Sequence, residues 1–115
     1  MAILLSTKAN AMQDWRAALL AEDPSLDIRL FPDAGDPADV EAAVCWTQHD
    51  MAELRRYPNL RLIVSMGAGV DHLLRPPGPP PGIPVARRKA ERLTTGMTEW
   101  VLLAVLPFHR HELDY

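Results

Sequence analysis

Short apolar runs that alternate with stretches of helical periodicity constrain this chain more than any other feature. Ala2-Ile3-Leu4-Leu5 is a continuous apolar run, and Leu60 to Ser65 (Leu60, Leu62, Ile63, Val64) is the clearest of the set. Runs this short and this apolar read as strands buried on both faces. Leu26-Asp27-Ile28-Arg29-Leu30 alternates and is closed by Phe31-Pro32, while Val40 to Cys45 is carried by Ala42-Ala43-Val44-Cys45. Between the first two strands, Ala11 to Glu22 places Met12, Trp15, Ala18, Leu19 and Leu20 at helical spacing and ends at Asp23-Pro24. Met51 to Tyr57 predicts a short helix stopped by Pro58, Val70 to Leu74 one or two helical turns, and Ile83 to Arg87 a fifth strand at the sheet edge. Strands separated by helices require right-handed crossovers and therefore a parallel sheet covered on both faces. The fold expected is α/β, a doubly wound parallel sheet of about five strands.

The 115 residues leave room for one domain and not two. A chain of this length buries roughly two-thirds of its unfolded surface, enough for a core without disulfide or metal support. Lys and Arg total 12 against 15 Asp and Glu, a net charge of -3, which argues against a nucleic-acid binder with its basic face. One cysteine excludes an internal disulfide framework and a multi-cysteine zinc site. The apolar opening, Met1 to Leu5, is too short for a signal peptide, and no run nears the roughly 18 residues of a membrane span. A cytoplasmic protein with no membrane partner is expected.

Two segments stand apart. Arg75 to Pro84 holds Pro76, Pro77, Pro79, Pro80, Pro81 and Pro84 with two glycines, a stiff surface connection that cannot extend a sheet. The cluster Arg87, Arg88, Lys89 and Arg92 that follows reads as a solvated turn, with contact to an anionic ligand as the alternative. Thr95 to Glu112 is the last element, with Thr94 or Thr95 as cap and Glu99 early in the helix. Met97, Trp100, Val101, Leu102, Leu103, Ala104, Val105, Leu106 and Phe108 leave it almost no polar face. Such a helix is expected to be buried on more than one side, with Pro107 kinking or shortening it near Ala104 to Leu106.

Ser65-Met66-Gly67-Ala68-Gly69-Val70-Asp71 is the stretch richest in chemistry. It follows a strong strand and opens a helix, so its amide hydrogens converge where an anion can lie, and glycine lets the backbone approach that anion. It is not a dinucleotide fingerprint, since His72 occupies the place of the third glycine. Trp46 lies at the C-terminal edge of a strand near the chain reversal, where open α/β sheets bind ligands, so core packing and pocket wall are both open to it. Cys45 reads as buried packing. His49, His72, His109 and His111 are scattered and read as surface or satisfied core residues.

Taken in order, these residues resemble the D-isomer-specific 2-hydroxyacid dehydrogenases, most closely the glyoxylate and hydroxypyruvate reductases. The resemblance is carried by Ile3-Leu4-Leu5, the Trp15 helix, Ala43-Val44-Cys45-Trp46, Pro58-Asn59-Leu60-Arg61-Leu62-Ile63, the signature Gly67-Ala68-Gly69-Val70-Asp71-His72-Leu73, Pro84-Val85-Ala86-Arg87 and Gly96-Met97-Thr98-Glu99-Trp100-Val101. The glycine signature and the Met-x-Glu-aromatic helix at this separation are jointly specific. The resemblance implies that residues 1–94 form a flavodoxin-like substrate domain and that 95–115 is the crossover helix towards an NAD(P)-binding Rossmann domain outside this chain. It implies a small 2-oxo or 2-hydroxy acid as ligand and NAD or NADP as cofactor. Amides near Gly67, Ala68 and Gly69 would hold the substrate carboxylate, Trp46 would wall the pocket, and Met97 would face the nicotinamide. The family's catalytic arginine, glutamate and histidine map to no residue here, so the 115 residues alone are expected to be inactive. Lys89 and Ala90 depart from the branch, which tends to carry an acidic residue there. A standalone anion-binding or regulatory module of the same fold is the alternative. A self-sufficient module should have a polar face on the last helix, and this helix has almost none; a homo-oligomer formed through it is expected.

Overall fold

The computed structural model describes residues 1–46 and 51–110. Five strands, β1 (Ala2–Ser6), β2 (Asp27–Leu30), β3 (Val40–Cys45), β4 (Leu62–Ser65) and β5 (Val85–Arg87), alternate with three α-helices, α1 (Ala9–Glu22), α2 (Asp71–Leu74) and α3 (Glu91–His109). All pairings are parallel, and the strand order is β2-β1-β3-β4-β5. This is the doubly wound order of flavodoxin-like sheets, in which the direction of winding reverses between β1 and β3. The expected fold class is met, including the fifth strand at the edge.

Period-two alternation distributes the strand residues between two cores. Leu4, Ala43, Cys45 and Ile63 face one side, where Leu54, Tyr57 and Leu73 cover them, and Val40, ahead of the register shift between β1 and β3, joins the same core. Leu5 and Ile28 face the other, under Leu19 and Leu20 of α1. Ile63, Leu4, Leu5 and Cys45 are fully buried, as central strands of a two-sided parallel sheet must be.

The differences from expectation lie in the helices. α1 begins at Ala9 and not Ala11, and the Met51 to Tyr57 segment is a single 3₁₀ turn over Glu53–Arg56. α3 begins at Glu91, without a threonine cap: Ala90 is its extended N-cap residue and makes no side-chain cap. Glu91, Arg92 and Leu93 are good helix formers, and an acidic residue in the first turn suits the helix dipole. Thr94 lies inside, its carbonyl accepting from Thr98 Oγ1 at 2.9 Å. The helix also runs through Pro107 to His109. The lost amide falls in the last turn, which closes with Arg110 N donating to Leu106 O at 2.9 Å. Its expected far end, like His111, lies outside the described residues. Burial on more than one side is not found. α3 has no buried residue, and Trp100 is 64% and Phe108 73% exposed. Neither core includes a residue of α3. Among the described residues no helix is long and apolar enough to cross a membrane.

Candidate functional site

The parallel register aligns the strand ends: Ser6 is opposite Cys45, Cys45 opposite Ser65, and Ser65 opposite Arg87. The next residue along each strand, Thr7, Trp46, Met66 and Arg88, therefore lies along the C-terminal edge of the sheet. These four line one cleft of about 280 Å³, together with Lys8, Ala11 and Trp15 from the start of α1. The cleft opens at the β1/β3 reversal, where open α/β sheets bind ligands. Trp46 lines this cleft and also packs against the core of Leu5, Ile28 and Met66.

The glycine turn adjoins this cleft. Ser65 is fully buried, and its hydroxyl accepts from Gly67 N at 3.3 Å while donating to Gly69 O at 2.9 Å. One side chain so staples both ends of the turn. Arg88 N donates to Gly67 O at 3.3 Å, and Arg87 Nη1 donates to Ala68 O at 3.3 Å. The carbonyls are thereby occupied from within the protein, whereas the amides of Ala68 and Gly69 have no acceptor among the described residues. An unpaired pair of successive amides beside a cleft can receive an anionic oxygen.

The two glycines differ in kind. A Cβ on Gly67 would overlap the Trp46 indole, with Trp46 Cη2 only 2.9 Å away. The absence of a side chain at Gly67 leaves room for the Trp46 ring against the turn. A Cβ on Gly69 would meet none of the described residues within 4 Å, and its backbone is not left-handed. The space over Gly69 is therefore open to a ligand.

His72 departs from expectation. It lies against Trp46 (ring centroids 6.2 Å apart, tilted 57°), and its buried Nε2 has no hydrogen-bond partner among the described residues; among these it is neither a surface nor a satisfied core histidine. Cys45 is buried, and loss of solvation pushes its thiol up to about 12, so it is inert packing as expected. Met97 lies apart from the cleft, on a groove of α3 beside Leu93, Val101 and Leu102. His49 lies outside the described residues. No His, Cys, Asp and Glu cluster among the described residues could hold a metal ion. The sequence reading missed Lys8 and Trp15 as cleft residues because only strand order and register bring them to the Trp46 edge.

No protein-family model matches the chain. Glyoxylate/hydroxypyruvate reductase A of Yersinia enterocolitica is 30% identical over 108 residues, which is 90% of this chain and 34% of that protein. A D-isomer-specific 2-hydroxyacid dehydrogenase from Xanthobacter autotrophicus, solved with NADPH and MES, superposes with a TM-score of 0.76 at 32% identity, covering 98% of this chain and 39% of its own. The NADPH-dependent glyoxylate/hydroxypyruvate reductase of Sinorhizobium meliloti, solved with NADP and sulfate, superposes at 0.72 and 28% identity, covering all of this chain and 37% of its own. In sequence and in fold, then, the relatives of this chain are D-isomer-specific 2-hydroxyacid dehydrogenases, glyoxylate/hydroxypyruvate reductases among them, and it spans little more than a third of their length.

Proposed function

We propose that this chain is the substrate-binding part of an NAD(P)-dependent reductase of 2-oxo acids of the glyoxylate or hydroxypyruvate type, forming D-2-hydroxy acids. The observation that carries the reading is the pair of unpaired amides at Ala68 and Gly69, stapled by Ser65 beside Trp46 at the sheet reversal. On this reading residues 1–94 are the substrate domain and α3 leads towards the cofactor domain. The amides of Ala68 and Gly69 take the carboxylate of the 2-oxo acid, Gly67 keeps Trp46 seated, and Trp46 walls the pocket and excludes water from one side. Main-chain donors fix the position of the carboxylate without adding a side chain that must be ordered on binding.

The described residues do not themselves fit a dinucleotide. His72 replaces the third glycine of a phosphate-binding turn, and α2, with only four residues, is too short to offer a helix N-terminus. On the same reading the cofactor is therefore held outside this chain, Met97 on α3 faces it, and no step of hydride transfer is assigned to these residues. The 115 residues alone should not reduce glyoxylate or hydroxypyruvate with either nicotinamide.

The test is binding. Oxalate, a stable 2-oxo acid mimic, should shift the amide resonances of Ala68 and Gly69 in ¹⁵N-labelled chain. Gly69→Val fills the open space over the turn and should abolish those shifts while leaving the unfolding midpoint unchanged. Shifts that survive Gly69→Val would make the turn purely structural.

A further inference from the structure

The cleft carries more positive charge than a single carboxylate clamp requires. Lys8 and Arg88 both line it, and among the described residues no acidic side chain does. Two arginines elsewhere are ion-paired: Arg29 with Asp27 at 2.9 Å and with Asp39 at 3.0 Å, and Arg61 with Glu41 at 3.4 Å. Arg87 is committed to the Ala68 carbonyl. Lys8 and Arg88 have no ion-pair partner among the described residues. Lys8 is also the N-cap residue of α1, a 14-residue helix with no acidic residue in its first turn, so the positive end of that helix dipole adds to the same potential. Two like charges that converge on one cleft oppose each other until an anion lies between them.

The remaining wall is apolar. Ala11, Trp15, Trp46 and Met66 form it, with Thr7 as the one hydroxyl among the described residues. The volume of about 280 Å³ equals the liquid share of roughly nine waters, room for a short carbon chain ending in a charged group. Trp46 and Met66 connect this wall to the glycine turn, for Met66 precedes Gly67 and Trp46 lies on it.

We infer that the cleft is a second anion subsite that reads the far end of the substrate, a 2-oxo acid bearing a distal carboxylate. The carbon chain lies over Trp46 and Met66, and the distal carboxylate is received by Lys8 and Arg88. The inference rests on the reading that Ala68 and Gly69 clamp the first carboxylate.

The experiment compares 2-oxoglutarate with 2-oxopentanoate, which has the same carbon chain without the second carboxylate. Each is titrated into the ¹⁵N-labelled chain, and the indole N–H resonances of Trp15, Trp46 and Trp100 are followed after assignment by Trp→Phe substitutions. 2-Oxoglutarate should shift Trp15 and Trp46 but not Trp100, and should bind at least tenfold more tightly than 2-oxopentanoate. In Lys8→Gln/Arg88→Gln the preference should fall to threefold or less. Both residues are exposed and have no ion-pair partner among the described residues, so the fold should survive their loss. Equal affinities, or a preference that persists in the double variant, overturns the distal subsite; if both acids then remain sensitive to Gly69→Val, the carboxylate clamp stands. Binding of neither acid overturns both.

Discussion

Gly67 and Gly69 look alike in the sequence, two glycines around one alanine in a turn, yet they answer to different constraints. Gly67 makes room for Trp46, whereas a Cβ on Gly69 would meet none of the described residues and its backbone is ordinary. Sequence reasoning found the turn but could not separate them, because the neighbour that distinguishes them is 21 residues away in the chain. Gly67→Ala should destabilise the protein by about 1–3 kcal/mol, the usual cost of overpacking. The same change in a Trp46→Ala background should cost far less, since the ring it collides with is gone. Denaturant unfolding of the four species in this cycle checks it, and additive costs would refute the steric account. Cys45 gives a second residue-scale test. Its thiol is held at about 12 against an ordinary 9.0. A raised value means the folded state keeps the proton longer, so the contribution is complete below pH 9 and is lost as pH rises from 9 towards 12. At 1.36 kcal/mol per unit this is up to about 4 kcal/mol. Cys45→Ala should lower stability at pH 7 but flatten its decline above pH 9; parallel alkaline declines in the two proteins would contradict it.

At the scale of elements, the strands were legible because a central parallel strand has no polar face to hide. Ala2 to Leu5, Ala42 to Cys45 and Leu62 to Ser65 are apolar wherever they meet a core. Helix boundaries were less legible. The Thr94-Thr95 pair resembles a cap in sequence, but Thr98 bonds back to the Thr94 carbonyl inside the helix, a local choice that composition does not reveal. The same is true of the segment before Pro58: four residues, Glu53–Arg56, suffice to place Leu54 in the core, so only a 3₁₀ turn forms. The cleft is a property of elements in register. Trp46 was legible from its strand end alone. Lys8 and Trp15 were not, because their place in the cleft depends on β1 lying beside β3, a pairing between residues about 40 positions apart.

At the scale of the whole molecule the dominant fact is α3. A compact chain of this length has a radius of gyration of about 13 Å, but this one has 18.6 Å and measures 64 × 34 × 22 Å. The excess comes with a 19-residue helix that buries none of its side chains. Met97, Trp100, Val101, Leu103, Leu106 and Phe108 are each between 47% and 73% exposed. A single aromatic side chain buries about 150–250 Å² when covered, so these residues together exceed the roughly 300–600 Å² of the largest apolar patch on a typical monomer. These residues run round the helix, and a second copy can cover one side of it by a two-fold, self-complementary contact, because each helix presents the same residues to its partner. The chain should therefore form a homo-oligomer through α3 when it is alone in solution. Light scattering after size exclusion, at about 100 µM, should report twice the chain mass or more. Trp100→Lys/Leu103→Lys should return it to a monomer without lowering the unfolding midpoint of the sheet, since neither side chain contributes to either core. A monomeric wild-type chain at that concentration would show that α3 tolerates water, and the association would have to be abandoned.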